Sequence, residues 1–152
     1  MLPKFSKFIV VNNSGQTLTF DLNGRLNLKV TGWIVDPGTG KITYTQLTDD
    51  DLNFAATNTL ADGAEQLGNE IDNTTNLFLG YFVQLEITHD AGTLADGTFD
   101  VFLAQGDVMA GLETDASGYA SAEANLLTPV GSLTWESNGL DDEVMRSAVW
   151  EV

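Results

Sequence analysis

The chain has no cysteine among its 152 residues. A disulfide framework is therefore excluded, as are a thiolate nucleophile, a zinc ribbon and an iron–sulfur centre. Histidine occurs once, at His89, which rules out a metal site built from several imidazoles. No stretch reaches the roughly 18 apolar residues that a membrane helix requires. The opening MLPKFSKFIVV lacks the long apolar region and small-residue cleavage site of a secretory signal, so a soluble protein made in a cytoplasm, without a membrane partner, is expected. Bases are scarce as well: six Lys and Arg stand against 22 acidic residues, for a net charge of -16. Nucleic acid does not suit such a surface, because phosphate contacts need Lys and Arg.

The few bases are unevenly placed. Lys4, Lys7, Arg25, Lys29 and Lys41 fall in the first 41 residues, opposed only by Asp21 and Asp36, so that segment carries +3. The other 111 residues hold twenty acids and the single base Arg146, for -19. A solvated acidic surface that keeps the protein soluble is the plainer account of this imbalance. The functional account is a basic N-terminal arm that docks on an acidic neighbour.

What the sequence holds in quantity is short runs of Val, Ile, Leu, Thr and aromatic residues between Gly, Asn and Asp clusters, the pattern of a β-rich fold. KFIVVNNSGQTLTFDL predicts a hairpin turning over Asn12 to Gly15. RLNLKVTGWIV aligns Leu26, Leu28 and Val30, with a bulge expected at Gly32, and DPGTG turns the chain into KITYTQL. From Thr48 to Asn76 the alternation weakens. A short strand near Asn58 to Leu60, one or two helical turns over Asp62 to Ile71, and a turn at DNTTN are expected there.

NLFLGYFVQLEIT then places Leu77, Leu79, Tyr81, Val83, Leu85 and Ile87 on one side, with Phe78, Gly80 and Phe82 on the other. Both sides need cover, from the second sheet of the same chain by preference or from a neighbouring subunit. GTFDVFLAQG, TPVGSLTWES and EVMRSAVWEV supply further strands, and DVMAGLETDASGYASAEANL reads as an exposed loop. No fixed period repeats. The expected fold is all-β: one domain over residues 1–152, a two-sheet, jelly-roll-like β-sandwich of about eight strands with long loops and little helix. Residues 1–15 form either its first hairpin or an extended docking arm.

Marks of enzymes are few. His89 beside Asp90 has the form of half a catalytic pair, but no G-x-S-x-G elbow offers a nucleophile, and a strand-end turn explains the pair more simply. Asp49, Asp50 and Asp51 are consecutive, yet no D-x-[DN]-x-[DN]-G loop accompanies them, so no metal is assigned. DPGTGK lacks the spacing of a phosphate-binding loop. Trp33, Trp135 and Trp150 raise the possibility of sugar stacking, but Trp33 and Trp150 flank apolar strand residues and burial is the more economical account. No catalytic residue and no cofactor is assigned.

TLADGAEQLGNEIDNTTNLFLGYFVQLEI, followed by DGTFDVFLAQ, LLTPVGSLTW and a final RSAVWEV, resembles a group of tailed-bacteriophage virion structural proteins. In that group a strand of the type G-T-x-D-V-[FY]-L precedes a loop, a strand opening L-x-x-[VI]-G-[ST]-L, and a strand with R-S. The likeness runs from about Thr59 to Val152. It implies a capsid decoration or cement protein with a jelly-roll-like body, commonly trimeric, on the outside of the head. The implied partners are the major capsid protein and further copies of the chain. Lys4, Lys7, Arg25 and Lys29 are the expected shell contacts, and Phe78 and Phe82 the expected subunit contacts. The alternative function is a carbohydrate- or receptor-binding module of a phage tail or fibre, which calls for one or two exposed tryptophans beside Asp or Asn.

Overall fold

The computed structural model describes residues 2, 4–20, 26–47, 59–89, 94–106, 127–136 and 144–152. Their strands, in chain order, are β1 (Phe5–Asn12), β2 (Leu18–Thr19), β3 (Leu26–Val35), β4 (Ile42–Gln46), β5 (Thr59–Leu60), β6 (Glu65–Asp72), β7 (Gly80–Thr88), β8 (Gly97–Gly106), β9 (Thr128–Trp135), β10 (Val144–Arg146) and β11 (Trp150–Glu151), with one helical turn, α1 (Asn73–Asn76). The first sheet has the order β6-β1-β8-β9; the second runs β10-β7-β3-β4, with β11 also on β7. All pairings are antiparallel. β2 and β5 form a small separate ladder. The protein is thus the expected all-β sandwich.

Period-two alternation puts one side of each sheet into a shared core. Phe8 and Val10 from β1 and Phe99, Val101 and Leu103 from β8 are buried against Leu28 and Val30 of β3 and Tyr81, Val83, Leu85 and Ile87 of β7. Phe8 and Tyr81 meet edge to face across the two sheets, ring centroids 5.7 Å apart. Burying each such side chain contributes about 1.5–3 kcal/mol.

Several local expectations are corrected. β1 and β2 do not form a hairpin: β1 lies between β6 and β8, and β2 pairs with β5. Asn12, fully buried, holds this corner, donating through Nδ2 to the carbonyls of Gln16 (2.9 Å) and Leu60 (2.8 Å) and accepting from the Ser14 N–H. Gly32 is not a bulge. β3 pairs in continuous register through it on both sides, and the absent side chain leaves room for Phe78. The single strand expected at EVMRSAVWEV is two. Ser147 interrupts it, its Oγ accepting the Leu85 N–H at 3.0 Å and donating to the Ala148 carbonyl.

Asp62 to Ile71 holds no helical turn; it enters β6 instead. The pairing with β1 slips between Lys7 and Ile9, so β6 carries one extra residue opposite Phe8. Leu67 therefore pairs with Ile9 while Ile71 pairs with Ser6, and an even spacing that normally keeps two side chains together sends these to opposite faces. The helical turn comes later, at DNTTN. Asp72 caps it by accepting the Thr74 N–H, and Leu77 ends it with a left-handed φ of 55°. That reversal exposes Leu77 and turns Phe78 inward, where Asn73 accepts its N–H and donates to its carbonyl. The loop expected at residues 107–126, Asn23-Gly24, and Asp49 to Asp51 lie outside the described residues.

Candidate interaction surfaces

The outer face of the first sheet carries a second apolar cluster, separate from the core between the sheets. Ile9 is 0% exposed and Ala104 3%, although both point away from the core; Phe5, Val11, Leu67, Phe102 and Leu127 pack around them. Register explains the grouping. Phe102 pairs with Ile9, which also pairs with Leu67 on the other side, so the three form a row across β8, β1 and β6. Lys7 shares this face through its pairing with Ala104. At the far end Asp100 accepts hydrogen bonds from Asn13 and Ser132, which gives the patch a polar margin.

The outer face of the second sheet is built differently. Glu86 of β7 accepts from Lys29 Nζ of β3 at 2.9 Å and from Arg146 Nε of β10, so three neighbouring strands are tied by one carboxylate. These hydrogen bonds, Lys29's foremost, hold the Glu86 carboxyl below its ordinary range. Toward the other end of this face Phe82 lies half-buried beside Tyr44, ring centroids 6.1 Å apart. Here the apolar side chains are open: Val35, Ile42 and Tyr44 are all exposed.

The expected contact residues therefore do not gather in one place. Lys4 and Lys7 belong to the first sheet or its approach, and Lys29 to the opposite outer face, where it is engaged by Glu86. Arg25 lies outside the described residues. Phe78 is 2% exposed and packs in the core of its own chain, so it has no surface to offer a subunit; Phe82 keeps part of its ring at the surface. The second side of the run Asn76 to Thr88 is thus covered within the chain at Phe78 and only partly at Phe82.

Chemistry-bearing groups are dispersed. His89 is buried at a strand end in a bridge with Phe20, and Asp90 lies outside the described residues. No cluster of three metal-ligating side chains occurs among the described residues. Glu65, partly buried on β6, has its carboxyl pushed up by burial alone, with no charged partner acting on it among the described residues. None of the three tryptophans is exposed: Trp135 is buried and donates to the Ala95 carbonyl, Trp150 covers Gly131, and Trp33 lies against Gly80. The tail- or fibre-module alternative therefore lacks its expected stacking surface among these residues.

Alternation alone does not predict the apolar outer face, yet its signal is present in the sequence. FIVV in β1 and VFLA in β8 are continuous apolar runs, and a strand apolar on both sides is one that needs cover on both. Comparison of the chain with protein-family models, curated proteins and solved structures finds no match.

Proposed function

We propose that the chain is a non-enzymatic virion structural protein of a tailed bacteriophage, a capsid decoration protein that binds the outer surface of the head and stabilises the shell. The observation that carries this reading is the apolar outer face of the first sheet, centred on Ile9 and Ala104 and ringed by Phe5, Val11, Leu67 and Phe102. The half-buried Phe5, Val11, Leu67 and Phe102 offer the contact surface, held in place by the buried Ile9 and Ala104 beneath them and by the sheet's hydrogen bonds, so little conformational entropy opposes docking. Lys7 on the same face suits an acidic rim on the shell, and the acidic remainder keeps bound copies soluble. The resemblance over Thr59 to Val152 supplies the virion setting, and the major capsid protein is the partner it implies.

The test is co-sedimentation of purified protein with phage heads that lack it, followed by heat challenge of the heads. Binding with raised heat resistance supports the reading. Phe102→Asp and Phe5→Asp are expected to abolish binding while the free variants keep their β-sheet circular dichroism. Heads that bind neither the native protein nor any variant would overturn it.

A further inference from the structure

Among the described residues the two main sheets have four edges, and three of them are defended. β6 carries a bulge opposite Phe8 together with Glu65 and Asp72. β9 carries Pro129, and its register with β8 slips by one residue between Val101 and Phe102. The edge formed by β10 and β11 is broken into three- and two-residue pieces bearing Arg146 and Glu151. Short, bulged, proline-bearing or charged edges resist pairing with another chain.

β4 has none of these devices. Ile42–Gln46 contains no charge and no proline, pairs with β3 in unbroken register, and is exposed at all five positions. Among the described residues nothing pairs with its outer side. The hydrogen-bond phase is fixed at both ends of the ladder: Leu47 N–H donates to Val30 at 2.9 Å, and Asp36 N–H donates to Lys41 at 2.8 Å. Odd-numbered residues of β4 therefore turn their backbone groups to β3, and Ile42, Tyr44 and Gln46 turn theirs outward.

We infer that β4 pairs antiparallel with β4 of a second copy, about a two-fold axis at Tyr44, joining the two second sheets into one. The symmetry fits the phase. With Tyr44 opposite Tyr44 of the other copy, Ile42 faces Gln46, and every outward N–H of these three residues meets an outward carbonyl. The two Tyr44 rings then sit beside one another next to Phe82, as a cross-strand aromatic pair. Charge does not oppose contact at this edge. The chain carries -16, but residues 26–47 hold Lys29 and Lys41 against Asp36 alone, so two acidic molecules meet where neither is acidic. The contact is two-fold and replaces the trimer implied by the resemblance. It does not depend on what the protein binds.

Analytical ultracentrifugation of the purified chain over a range of concentration and salt tests this. A monomer–dimer equilibrium that tightens with salt is expected, because salt screens the repulsion between like-charged bodies. Ile42→Lys, at an exposed site, raises the dimer Kd about tenfold or more, as charged edge residues do. Tyr44→Pro removes an outward donor without removing a bond to β3 and also yields monomer. The register has its own test in a chain free of cysteine. Thr43 of one copy lies opposite Thr45 of the other, so a mixture of Thr43→Cys and Thr45→Cys proteins cross-links on oxidation and neither does so alone. A monomer under all conditions, a trimer, a dimer that survives Ile42→Lys with folding intact, or cross-links in the wrong combination overturns the inference.

Discussion

A Cβ placed on Gly32 would stand 2.5 Å from Cδ1 of Phe78. The Phe78 ring packs edge-on against Tyr81, centroids 5.8 Å apart, so it cannot retreat without disturbing the core. Gly32→Ala is expected to destabilise the protein by about 1–3 kcal/mol, the usual cost of overpacking, measured by urea unfolding. Phe78→Leu in the same chain should recover part of that loss; a fully additive double variant would show that the two residues are not in contact.

Glu86 joins β3, β7 and β10, and its depressed pKa sets the sign of a pH effect. Stability from this carboxylate is present above the unfolded pKa and is lost as pH falls through the lower folded one. Glu86→Gln is expected to cost on the order of 1 kcal/mol at neutral pH, because both cationic partners are largely in solvent. The gap in melting temperature between native protein and variant should close on acidification. A gap that is constant from neutral to acid pH would contradict the assignment.

Asn12 satisfies two carbonyls and one N–H at a buried corner. Asn12→Ala leaves these groups without that partner, at a cost of about 1–3 kcal/mol for each one that water cannot reach. Asn12→Asp should be worse at neutral pH than in acid, since its carboxylate would face the carbonyl oxygens of Gln16 and Leu60. Denaturation of the two variants at neutral and acidic pH checks both statements.

Ser147 gives the buried Leu85 N–H an acceptor where the last strand breaks. Ser147→Ala is expected to destabilise by about 1–3 kcal/mol and to speed hydrogen exchange of the Leu85 amide first. Uniform exchange across β7 would argue that the hydroxyl is dispensable.

Much of the sandwich was legible because period two was clean in its central strands. Leu26, Leu28 and Val30, then Tyr81 to Ile87, then Phe99, Val101 and Leu103 all face the core as the alternation requires. The failures have specific causes. The bulge in β6 reverses the parity of Leu67 and Ile71, and their four-residue spacing suits a helix equally well. The left-handed Leu77 reverses parity again just before β7, exchanging Leu77 for Phe78 in the core. The turn signal at Asn12 to Gly15 was real, with Gly15 at φ 75°, but it marks a passage out of the first sheet rather than a hairpin. Turn residues state that the chain reverses; they do not state which strand receives it. For the same reason Lys7 and Lys29, both in the basic first segment, separate onto opposite outer faces.

The position of β1 between β6 and β8 bears on how the molecule is made. Phe5 is paired with Asp72 on one side and Gly106 on the other, so β1, made before both of its neighbours, finds them only after the chain up to β8 has followed. Such distant pairing slows folding. Until synthesis passes β8, the FIVV run has no lasting shelter, and nascent chains are exposed to chaperones and to one another for that interval.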